Sequence, residues 1–321
     1  MTDSRNCVES TIIISHEGKN TMKKLPTLKA GDTVEIIAPA SRCTAEQLSG
    51  VKKLLESWQL NCLVADDIFG DEVFTANTDE VRFKHLKNAL LHPETKAIFC
   101  ARGGYGSMRL IPALAKIAPS ASPKLFVGMS DTTALQLYLQ QQWQWPTIHG
   151  ASAPDRFSTE SIAALKSLLF GATPQIEFTD LLPLNDAAKQ HRLINAEITG
   201  GNLCLIQASI GTIWQLSGAG KIILLEETGE RGYRVDRMLE HLRQANIFHG
   251  AVAILLGDFI GGNEADGSSL IHSALRRFAK SCEIPVIQAK GIGHDYVNYP
   301  IPLGTAAKLQ LGDNLNLVCS I

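Results

Sequence analysis

The feature that most constrains this chain is a strict alternation of short apolar runs and helical stretches in its first half. Asp32-Thr-Val-Glu-Ile-Ile-Ala38, Asn61-Cys-Leu-Val-Ala65, Lys96-Ala-Ile-Phe-Cys100 and Lys124-Leu-Phe-Val127 read as strands. Helices lie between and after them. Leu48, Val51, Leu54, Leu55 and Trp58 mark one helical face, and Val81, Leu86, Leu90 and Leu91 mark another. Thr44-Ala-Glu-Gln47 has the spacing of a capping box, and Asn77-Thr-Asp-Glu80 is a second start signal. Strands alternating with helices predict an open α/β sheet, in which ligands bind outside the carboxyl ends of the strands.

Two of those carboxyl ends carry unusual residues. The third strand runs into Ala101-Arg-Gly-Gly-Tyr-Gly-Ser107, where three glycines in four positions let main-chain amides approach a ligand. The fourth runs into Gly128-Met-Ser-Asp-Thr132 and then a helix marked by Ala134, Leu135, Tyr138 and Leu139. Ser130 at this strand-to-helix turn is similar to the nucleophile of G-x-S-x-G, with Thr132 in place of the last glycine. A serine there equally suits a helix N-cap. G-x-G-x-x-G is absent, so a dinucleotide fingerprint is not expected.

The second half repeats the theme with its own candidates. Lys221-Ile-Ile-Leu-Leu225 is a buried strand running into Glu226 and Glu227, which are either solvated edge charges or site carboxylates. Val235, Met238, Leu239 and Leu242 give the next helix its apolar face, so Arg234 falls on the polar side. Gly291-Ile-Gly-His-Asp295 puts His294 in a loop after a later strand, and Leu309, Leu311, Leu315 and Leu317 suggest a terminal hairpin. His149, in Pro146-Thr-Ile-His-Gly150, is a base by residue type, though histidines in such turns are mostly structural.

These elements divide the chain into an extension at 1–21, a nucleophile domain at 22–152, a linker at 153–195 and a second domain at 196–321. With 321 residues and a net charge of −2, nucleic acid is not an expected partner. No apolar run is long enough to span a bilayer, and a membrane partner is not expected. Seven scattered cysteines without a C-x-x-C pair suit a reducing cytoplasm and offer no zinc site.

Taken together, Ala101-Arg-Gly-Gly-Tyr-Gly, Gly128-Met-Ser-Asp, Ile148-His-Gly, Gly200-Gly-Asn-Leu, Leu225-Glu-Glu, Tyr233-Arg-Val-Asp-Arg-Met-Leu and Gly293-His resemble, in order and spacing, the LD-carboxypeptidases of serine peptidase family S66. The resemblance runs from about Leu25 to about Val318. It implies a Rossmann- or flavodoxin-like N-terminal α/β domain, a C-terminal α/β domain with a barrel-like sheet, and a site at their interface, usually in a homodimer. It implies a Ser-Glu-His triad, which falls on Ser130 as nucleophile, Glu226 as the acid that orients the histidine, and His294 as general base. The family's usual Asp after the Glu is Glu227 here, so the choice between the two acids rests on position. Oxyanion donors fall on the amides of Gly104 and Asp131. The implied substrate is a murein stem peptide whose terminal D-Ala is released during cytoplasmic recycling of cell wall, with neither cofactor nor metal. Arg102 and Arg234 are candidates for the substrate carboxylate. A microcin-immunity-like peptidase acting on aminoacyl- or peptidyl-nucleotides is the alternative within the family, and a non-catalytic ligand-binding relative on the same scaffold is the alternative of another class.

Overall fold

The computed structural model describes residues 24–150 and 153–321, so the extension expected at 1–21 lies outside the described residues. The first half forms β1 (Thr33–Ile37), α1 (Ala45–Ser57), β2 (Asn61–Val64), α2 (Asp79–Leu91), β3 (Thr95–Cys100), α3 (Ile111–Leu114), β4 (Leu125–Gly128), α4 (Thr133–Tyr138) and β5 (Thr147–His149). The capping box forms at α1, where Thr44 and Gln47 exchange side-chain to main-chain bonds, and the Thr78 hydroxyl caps α2.

These strands build a parallel sheet in the order β2-β1-β3-β4-β5. That is the flavodoxin-like order, and its switch point lies between β1 and β3. β4 is buried along its whole length because helices cover both faces. One core cluster joins Val34, Leu55, Phe99 and Val127; a second joins Ile98, Phe126 and Leu135 to the helices of the other half.

The second half supplies α5 (Thr159–Leu169), β6 (Gln175–Phe178), β7 (Leu181–Pro183), β8 (Arg192–Asn202), α6 (Leu203–Ala208), β9 (Lys221–Thr228), α7 (Gly232–Gln244), β10 (Ala253–Ile260), α8 (Ile271–Lys280), β11 (Val286–Ala289), β12 (Ile301–Leu303), β13 (Thr305–Leu311) and β14 (Asn316–Ser320). Its eight-stranded sheet has the order β6-β14-β13-β8-β9-β10-β11-β7. The two ends of that order, β6 and β7, are separated in sequence by only Thr179 and Asp180. Two residues cannot bridge the width of a flat eight-stranded sheet, so the sheet curls until its edges nearly meet. β13 and β14 form the expected hairpin.

The segment 153–195, read as a linker, contains structure belonging to both halves. Leu165, Leu168 and Leu169 of α5 join the core cluster of Val34 and Phe99, while β6 and β7 are the edges of the second sheet. The edge strands were hard to read because Gln175-Ile-Glu-Phe178 is short and mostly solvated, and Pro183 ends β7. Chain continuity crosses back as well. β12 pairs antiparallel with β5, setting Ile301 opposite His149. Among the described residues, no helix is long and apolar enough to cross a membrane.

Candidate active site

The turn after β4 is held in a conformation that costs energy. Ser130 has φ +64, a left-handed backbone that a non-glycine residue rarely adopts. Such strain costs roughly 1–3 kcal/mol and persists only where the surroundings fix it. Here Thr132 Oγ1 donates to Met129 O at 2.9 Å, and Gln136 Nε2 donates to Gly128 O at 3.0 Å and to Ile148 O at 2.9 Å. Thr132 thus closes the turn with a hydroxyl where the G-x-S-x-G pattern has a glycine. Among the described residues, Ser130 Oγ makes no hydrogen bond, so it does not cap the helix behind it.

The glycine-rich loop lies directly against that turn. A Cβ on Gly103 would stand 2.7 Å from Ser130 Cβ and 3.0 Å from Oγ, so no larger residue fits there. Gly104 has φ +106, and a Cβ there would meet Ser41 Oγ at 2.5 Å. The Ser41 hydroxyl itself accepts from Tyr105 N at 3.0 Å and donates to Phe74 O at 2.9 Å, tying the loop to the segment before α2.

The opposite rim comes from the second half. Glu226 and Glu227 are both buried near the end of β9, and strand alternation sends them to opposite faces. Glu226 Oε2 lies 2.6 Å from His294 Nδ1. Glu227 instead accepts from Asn202 Nδ2 at 3.1 Å, Cys204 N at 2.8 Å and Thr228 N at 2.9 Å, fixing the start of α6. Their ionisation differs accordingly. Burial opposes the charge of Glu226, but the adjacent His294 imidazole and its hydrogen bond outweigh it, holding the carboxyl below its ordinary range. Burial pushes Glu227 up to about 7, and the charge of Glu226 adds to the effect.

The loop carrying His294 is anchored on three sides. A register shift in β10 presents Asp258, whose amide donates to Ile292 O at 2.7 Å and whose carboxylate accepts from Gly291 N at 3.2 Å. Asn298 accepts from Gly293 N at 3.2 Å, and its own amide donates to Ser161 Oγ at 2.8 Å. The Asn298 side chain also reaches Met129 Sδ at 3.4 Å, which links the histidine loop to the serine turn. Sequence reasoning missed Asn298, since nothing local distinguishes it from a loop asparagine.

Ser130, Gly103, Gly104, Thr228 and His294 line one cavity of about 430 Å³ between the rims. With Nδ1–H donated to Glu226, His294 Nε2 is left as an acceptor. Ser130 Oγ and His294 line the same cavity with no hydrogen bond between them. Arg102 lines the cavity, exposed, with one guanidinium nitrogen 3.0 Å from Arg42 O. Arg234 is not among the lining residues and pairs with Glu230 at 2.5 Å, which fits a helix-surface charge rather than a substrate contact. Arg156 lines the cavity instead, its guanidinium over the Phe157 ring at 5.4 Å. His149 is fully buried opposite Gly128 of β4, and burial pushes it down to about 4, against the nearby charge of Glu226, so it stays neutral.

Known proteins share this two-part fold. The model of the LD-carboxypeptidase N-terminal domain matches residues 34–150, and that of the LD-carboxypeptidase C-terminal domain matches residues 195–309. The murein tetrapeptide carboxypeptidase of Pseudomonas aeruginosa is 30% identical over 292 residues, covering 86% of this chain and 92% of that protein. A Rickettsia conorii protein that carries only the provisional name of a carboxypeptidase is 38% identical over 295 residues, covering 90% of this chain and 91% of its own. The crystal structure of muramoyltetrapeptide carboxypeptidase from Oxalobacter formigenes superposes with a TM-score of 0.76 at 25% identity, covering 90% of this chain and 99% of that one. The microcin C7 self-immunity protein MccF, in complex with glutamyl sulfamoyl guanosine, shares the fold at 17% identity with a TM-score of 0.79, over 93% of this chain and 98% of that one.

Proposed function

Because the chain belongs to the LD-carboxypeptidase family and is a serine-type carboxypeptidase, we propose that it releases the terminal D-Ala from the murein tetrapeptide L-Ala-D-Glu-meso-diaminopimelate-D-Ala. Ser130 is the nucleophile, His294 the general base and Glu226 the acid that orients it. The single observation behind this assignment is the buried 2.6 Å Glu226–His294 pair facing the cavity that Ser130 lines from the other rim.

The chemistry follows from those positions. Ser130 Oγ attacks the carbonyl of the L-centre while its proton passes to His294 Nε2, and Glu226 stabilises the imidazolium that forms. The tetrahedral oxyanion accepts from the amides of Gly104 and Asp131. Collapse breaks the C–N bond, and His294 returns the proton to the departing D-Ala amine. Water, deprotonated by the same imidazole, then hydrolyses the ester to free Ser130. The exposed guanidiniums of Arg102 and Arg156 have no carboxylate partner among the described residues and would receive the free C-terminal carboxylate of the substrate. The place of this reaction would be cytoplasmic turnover of imported stem peptides, by a homodimer.

The test is incubation with the synthetic tetrapeptide, following free D-Ala, with Ser130→Ala alongside. Release by the parent and none by the variant supports the assignment. Release by both removes Ser130. Release by neither, with cleavage of an aminoacyl-nucleotide, replaces the murein substrate.

A further inference from the structure

The residue after the nucleophile does more than lend its amide. Asp131 is buried at 2% exposure, and its carboxylate points into the glycine-rich loop rather than into the cavity. Oδ2 accepts from Ser107 N at 2.8 Å and Oδ1 from Gly106 N at 3.2 Å, while the main-chain oxygen of Asp131 accepts from Ser107 Oγ at 2.6 Å. Three bonds therefore run from one residue of the serine turn to two consecutive residues of the loop. The same loop segment is held from behind. Buried Arg82 donates to Gly106 O at 3.0 Å and to Pro39 O, and is itself paired with Asp79 at 2.6 Å. The Gly106 peptide is thus gripped at its N–H by a carboxylate and at its carbonyl by a guanidinium.

Resting on the proposed reaction, we infer that the Asp131 side chain is a positioning residue that fixes the Gly104 amide relative to the Asp131 amide. The two donors of an oxyanion hole must converge within a few tenths of an ångström on one oxygen. They come here from different loops, one after β3 and one after β4. The three glycines have no side chains of their own to set their place; Ser41 and Phe74 hold Tyr105 from outside, and the charged clamp at Gly106 and Ser107 constrains the loop from the side of the serine turn. Gly103 against Ser130 fixes the near end by contact, and Asp131 fixes the far end by hydrogen bonds. The single residue that contributes one donor thereby sets the distance to the other.

The test is Asp131→Asn, which keeps the shape but turns a donor toward one of the two amides. Its first readout is the rate at which a fluorophosphonate labels Ser130, a step that forms the Oγ–P bond, expels fluoride and passes the hydroxyl proton to His294. Its second is kcat and KM for the tetrapeptide. The expected result is labelling and kcat both slower by roughly 100-fold, the scale of a misplaced catalytic group, with KM within about twofold of the parent because ground-state contacts are untouched. Should this variant fold poorly, Ser107→Ala removes only the third tie and is expected to slow labelling by roughly 3- to 10-fold, about one neutral hydrogen bond. Labelling and kcat at parental rates in the folded variants, or a rise in KM without a fall in kcat, would overturn the inference. A parent that is labelled at Ser130 but releases no D-Ala would remove the murein substrate while leaving the labelling comparison decisive. A parent not labelled at Ser130 overturns both.

Discussion

The two rims of the cavity are built on different principles. On the N-terminal rim the candidate groups are set by main-chain conformation: a serine at φ +64 and a glycine at φ +106, in turns held by bonds that Thr132 and Gln136 donate and that Asp131 accepts from Gly106 and Ser107. On the C-terminal rim they are ionisable side chains: a buried carboxylate on β9 and an imidazole in the loop after β11, 2.6 Å apart, neither residue itself at positive φ. The first rim stores strain and gives it geometry. The second buries charge and gives it a partner. Substitutions should therefore act on stability in opposite directions.

Ser130→Ala should give the largest effect, a loss of kcat on the order of a million-fold, measured by D-Ala release. Ser130→Gly should lose as much activity yet raise folding stability by roughly 1 kcal/mol in denaturant unfolding, because glycine adopts positive φ freely. If both variants unfold as the parent does, the turn is not strained and the contrast between the rims fails.

Glu226→Gln should cost roughly 10⁴-fold in kcat, since a carboxamide can present a donor to the imidazole and favour the wrong tautomer. Glu227→Gln should cost less than about tenfold but lower the melting midpoint, because its carboxylate anchors α6. Equal kinetic losses would mean the two neighbours share one role.

Gly104→Ala should lower kcat by roughly 100-fold with KM little changed, through the lost or displaced amide. KM rising in its place would assign the loop to ground-state binding.

The smallest effect on catalysis belongs to a residue whose role is thermodynamic. His149 is held near 4 when folded, below its ordinary 6.5, by burial. The unfolded chain therefore binds a proton that the folded chain refuses between those values. Its contribution to stability is complete above about pH 6.5 and is lost as pH falls toward 4, by on the order of 3 kcal/mol in total. His149→Gln should flatten that part of the stability–pH curve measured by denaturant unfolding, whereas an unchanged slope would place the acid sensitivity elsewhere.

This contrast also explains what could be read in advance. Backbone demands leave a local signature, because only glycine and a few small residues meet them, so Gly103, Gly104 and Ser130 were visible by spacing. The charged rim was readable only as a set of candidates. Glu226 and Glu227 are chemically alike, and strand alternation distinguishes them only once His294, 68 residues on, is placed beside one face. Arg156 and Asn298 went unseen for the same reason. Arg234 stood out in its motif, yet the structure commits it to Glu230. Strands β6 and β7 escaped notice because an edge strand of three or four solvated residues carries almost no periodicity.

The most direct test of a site made by both rims is a double-mutant cycle on kcat for the tetrapeptide, using Ser130→Ala, His294→Ala and the double variant. Groups that act as one unit are non-additive. The expected result is that the double variant is no slower than the slower single one. Losses that multiply would mean that the serine turn and the histidine loop contribute independently, and the two rims would not form one catalytic centre.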